Sequence, residues 1–159
     1  MKKQMVKNLF IVALAILSIC LYSALRTQRS EFQQEEELRI QAVHGELLAV
    51  ATSLKNYDGE YFLRHSYGFE VLAAGSLRDY NYMSLAWALR VLAEPEMFEL
   101  LSHEEAAIIS DAIFELFDAG YDDNGMLSDT NHTTRISYWE MRPVEDCVLG
   151  NIKMLSGRR

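Results

Sequence analysis

The stretch Asn8–Leu25, NLFIVALAILSICLYSAL, governs how the rest of the chain is read. It carries no charge and lies between Lys7 and Arg26. As a helix it rises about 27 Å, close to the roughly 30 Å of bilayer hydrocarbon. The stretch therefore predicts one transmembrane helix, residues 8–25, after a basic segment, residues 1–7. The excess in the 50% hydrophobic content of the 159 residues has its local source in this run.

A cleaved signal peptide would also place basic residues ahead of an apolar run, but such runs are shorter and lead to a small-x-small cleavage site. Here Ala13-Leu14-Ala15 lies inside the run, and Ala24 has bulky Tyr22 two residues before it. A lipoprotein site at Leu17-Ser18-Ile19-Cys20 fails because Ile19 occupies the position that needs a small residue. An uncleaved signal-anchor is expected. Lys2, Lys3, Lys7 and the amino terminus precede it, against Arg26 and Arg29 after it, so the positive-inside rule places the N-terminus in the cytoplasm and the remainder outside. In a bacterium that compartment would be the periplasm.

All 23 acidic residues lie after Ser30, whereas 11 of the 15 basic residues lie after Arg26, which leaves the outer part at −12. Such a field repels nucleic acid and anionic lipid and steers a basic protein or a cation inward. Solubility alone also accounts for it. Cys20 lies in the apolar run and Cys147 near the far end, so no disulfide framework is expected; a buried, unreactive Cys147 is favoured over pairing between chains.

After the anchor, residues 26–39 are polar, contain no Gly or Pro, and read as a helical stalk. Ile40, Val43, Leu47, Val50, Leu54 and Tyr57 then follow one another at spacings of three and four. This heptad stripe suits either a homodimer through Ile40, Val43, Leu47, Val50 and Leu54 or packing inside the chain. It spans under three heptads, and Leu48 and Ala51 widen it, so the intramolecular use is preferred.

Asp58-Gly59 breaks this helix. A second helix is expected from Glu60 to Ala74, stopped at Gly75, and a third after Ser76-Leu77-Arg78-Asp79, carrying Met83, Leu85, Trp87 and Leu89 and ended at about Ala93 by Pro95. Ser102-His103-Glu104-Glu105 is a capping box that opens a helix bearing Ala106, Ile109, Ile113, Leu116 and Phe117 on one face and closing at Gly120. Residues 121–159 read as an acidic turn and a C-terminal arm packing on the helical domain of residues 40–120. Within the arm, Arg135–Met141 alternates like a short strand, and Pro143 opens a last helix to about Met154. The expected fold is mainly α: a membrane helix, a helical stalk, and a small antiparallel helical bundle with an irregular C-terminal arm.

Chemistry is sparsely signalled. Asp122, Asn124 and Gly125 match the third, fifth and sixth places of a calcium-binding EF-hand loop, but Gly120 and Asn131 stand where its first carboxylate and its bidentate glutamate belong. Asp118, Asp122, Asn124 and Asp129 remain weak metal candidates in what is first of all a turn. His44, His65, His103 and His132 show no zinc spacing and read as surface histidines, one of them, His103, beside a helix cap, and no nucleophile elbow or phosphate loop occurs. No catalytic residue and no cofactor is expected. The sequon Asn131-His132-Thr133 is read as incidental. Partner contacts are expected at Tyr80 and Tyr82, which open the third helix, and at Tyr138 and Trp139 on the arm.

These readings converge on a membrane-anchored, non-catalytic protein-interaction module: an accessory subunit of an envelope complex, or an inhibitor or immunity-type binder of a basic protein. The alternative is a small envelope enzyme or divalent-cation module centred on the aspartates near Asp122.

Overall fold

The computed structural model describes residues 2–75, 80–118 and 136–158, with side chains from Leu14 onward except those of residues 80, 81 and 118. It contains α1 (Lys2–Lys55), α2 (Gly59–Ala74), α3 (Tyr80–Leu92), α4 (Pro95–Phe98), α5 (His103–Asp118) and α6 (Tyr138–Ser156), and no strand among the described residues. The mainly helical class follows. The chain divides into two compact units, Met1–Glu37 and Leu38–Arg159.

In the first unit the helix is unbroken. Among the described residues no helix is long and apolar enough to cross a membrane. The run that begins at Asn8 is described in its side chains only from Leu14. The metal candidates Asp122, Asn124 and Asp129, together with His132, the sequon and the Ser76–Asp79 capping box, lie outside the described residues.

The second unit is built around the stripe on α1. Val43, Leu47, Val50 and Leu54 are almost wholly buried, and Ile40 nearly so. Val43, Leu47, Val50 and Leu54 join Phe62 and Phe69 of α2, Leu85 and Leu89 of α3, Ile109 and Ile113 of α5, and Val144 and Val148 of α6 in one core. The stripe is thus consumed inside its own chain, and a second copy would reach Leu47 or Val50 only by opening that core. Packing runs α2 on α3, α3 on α6 and α5 on α6, with the short α4 touching α2, α3 and α6. Ser110 Oγ on α5 donates to the carbonyl of Ala51 on α1 at 2.8 Å, so a buried hydroxyl is satisfied where those two helices meet.

The turn between α1 and α2 works differently from a simple Asp-Gly break. Asp58 is the N-cap of α2, its carboxylate accepting the Tyr61 N–H at 3.0 Å. The left-handed residue is Tyr57, at φ 53°. That conformation is costly for a bulky side chain. Its ring is held by stacking on His103 at 3.7 Å and packing on Phe98 at 4.9 Å, and its hydroxyl donates to the Leu101 carbonyl. Gly59 serves close packing: a Cβ there would stand 2.7 Å from Cδ1 of Phe98.

Two sequence expectations change. Pro95 ends α3 as foreseen, but it also occupies the first turn of α4, where its missing N–H costs nothing. The arm from Arg135 to Met141 is not a strand from residue 136 onward; Tyr138 begins α6, five residues before Pro143. Ser137 caps it in a full capping box with Glu140, and Pro143 sits inside the helix. Met141, Val144, Val148 and Leu155 are buried along one face, so residues 138–156 are a core helix and not an irregular arm.

Candidate functional site

The most unusual surface belongs to the first unit. Leu14, Ile16, Leu17, Ile19, Leu21, Tyr22 and Leu25 are each 47% to 69% exposed, and at 100° per residue they point to every side of the helix. A helix apolar all round has no polar face to offer water. Its hydroxyls are turned back on the backbone: Ser18 Oγ donates to Leu14 O at 2.8 Å, Ser23 Oγ to Cys20 O at 2.9 Å and Thr27 Oγ1 to Ser23 O at 3.0 Å. Polar atoms satisfied within one segment are what a hydrocarbon environment requires.

Of the four aromatic residues expected to meet a partner, Tyr80 has no described side chain, and Tyr82 is corrected: it is 2% exposed. Its spacing from Leu85, Leu89 and Leu92 places it on the buried face of α3. The Tyr82 hydroxyl lies 3.0 Å from Nε2 of His44 and accepts the Ile136 N–H at 3.2 Å. His44 is corrected with it, since this histidine is 6% exposed and meets Phe117 edge-on at 5.4 Å.

Tyr138 and Trp139 are exposed, Trp139 at 73%. Their rings meet edge to face at 5.5 Å, and the Arg142 guanidinium lies 5.9 Å over the Trp139 ring while pairing with Asp146 at 3.7 Å. Trp87, counted in the sequence with the apolar residues of its helix, is also exposed, as are Tyr61 and Tyr67 on α2. The position of Trp87 midway between the fully buried Ala86 and Ala88 marks it as outward-facing in a helix.

Titratable groups form structural pairs. Glu105 accepts from Arg158 Nη2 at 2.8 Å and from the Ser102 N–H at 2.8 Å. The Arg158 bonds first, and the Ser102 amide next, hold its carboxyl down at about 2. Glu140 is lowered by the Ser137 hydroxyl and amide, and burial pushes the Cys147 thiol up, which disfavours the reactive thiolate. His65 Nδ1 contacts Glu46 Oε2 at 2.7 Å, while His65 Nε2 and the Ser66 hydroxyl are buried without hydrogen-bond partners among the described residues. A carboxylate orienting an imidazole needs a nucleophile or substrate at the other nitrogen to do chemistry. No described side chain is hydrogen-bonded to that nitrogen. The described residues also contain no group of three or more metal-ligating side chains.

No protein-family model, curated protein or solved structure matches this chain.

Proposed function

We propose that this chain is a membrane-anchored, non-catalytic interaction module, held by Asn8–Leu25 and presenting its acidic helical unit outside the cytoplasm to a basic protein partner. Service as an accessory subunit of an envelope complex, or as an immunity-type binder, fits that description. The observation that carries the reading is the ring of exposed apolar side chains from Leu14 to Leu25, with Ser18, Ser23 and Thr27 bonded internally. In water, each buried CH₂ would recover about 0.8 kcal/mol, so a surface of this kind is stable only when covered, and a bilayer covers all sides at once. The net −12 beyond Arg26 supports a basic partner, because opposite charge accelerates encounter and like charge excludes competitors.

Protease treatment of intact cells and of permeabilised cells tests the sidedness. The outer unit should be cleaved in intact cells once any outer barrier is opened; protection until the inner membrane is lysed contradicts it. Detergent extraction followed by affinity purification should retain a partner whose recovery falls as salt rises. A wild-type chain that retains no partner at low salt contradicts the interaction role.

A further inference from the structure

We draw no further inference here: the strongest candidate, the exposed aromatic patch that Tyr138 and Trp139 form at the start of α6, carries nothing because nothing among the described residues shows what covers it.

Discussion

The hydroxyl of Tyr82 on α3 stands 3.0 Å from Nε2 of His44 on α1, and the pair is buried at 2% and 6% exposure. The same oxygen accepts the Ile136 N–H just ahead of α6, and Phe117 in the last turn of α5 packs edge-on against the imidazole. One polar pair therefore ties together four segments that are distant in sequence. Buried polar groups of this kind are costly to leave half-made.

Tyr82→Phe removes the hydroxyl while keeping the ring that meets Phe69 edge-on at 6.2 Å. It strips a partner from both the Ile136 N–H and His44 Nε2, so the variant should lose about 1–3 kcal/mol in chemical denaturation. An unchanged midpoint would show that the pair contributes nothing net.

Acid should loosen the C-terminal clamp. The folded pKa of Glu105 is about 2, against an ordinary 4.5, so its contribution is fully present above pH 4.5 and is lost as pH falls toward 2. Arg158→Ala should cost about 1 kcal/mol at neutral pH, modest because Arg158 is partly exposed. That difference between variant and wild type should shrink between pH 4.5 and 2. A gap that stays constant over this interval would contradict the pairing.

Two glycines on neighbouring helices should respond oppositely to alanine. Gly59→Ala drives a methyl to 2.7 Å from the Phe98 ring, which is itself wedged against Tyr57 and Phe62, and should destabilise by about 1–2 kcal/mol. Gly45→Ala meets nothing within 4 Å and should stabilise by about 0.5–1 kcal/mol through helix propensity. Thermal melts of the two variants check both signs, and melts that shift in the same direction would contradict the packing at Phe98.

Much of the helical order was legible because the signals are local. The stripe Ile40–Leu54 and the Ser102–Glu105 capping box are periodic or short-range, and both stand in the structure as their spacing implies. The misreadings came where two local signals competed. Ser137-x-x-Glu140 is the same capping motif as Ser102-x-x-Glu105, and it competes with Pro143, which also signals a helix start because proline favours a first turn. A proline at the sixth helical position removes only the bond to the Trp139 carbonyl, and burial of Met141, Val144 and Val148 outweighs that loss.

The sites were less legible than the fold because exposure is set by tertiary contacts. Tyr82 and Trp87 are both aromatic residues in α3, and only the helical phase fixed by Leu85 and Leu89 sends the first inward and the second outward. His44 continues the Ile40–Leu47 face and is buried with it, although a polar residue is not part of an apolar stripe.

The tether is tested most directly by washing membranes from cells expressing the full-length chain with alkaline carbonate and following the protein by its intact mass. The account predicts that the uncleaved chain stays in the washed pellet and is released only by detergent. Recovery in the supernatant, or a mature chain beginning after Leu21, would contradict it.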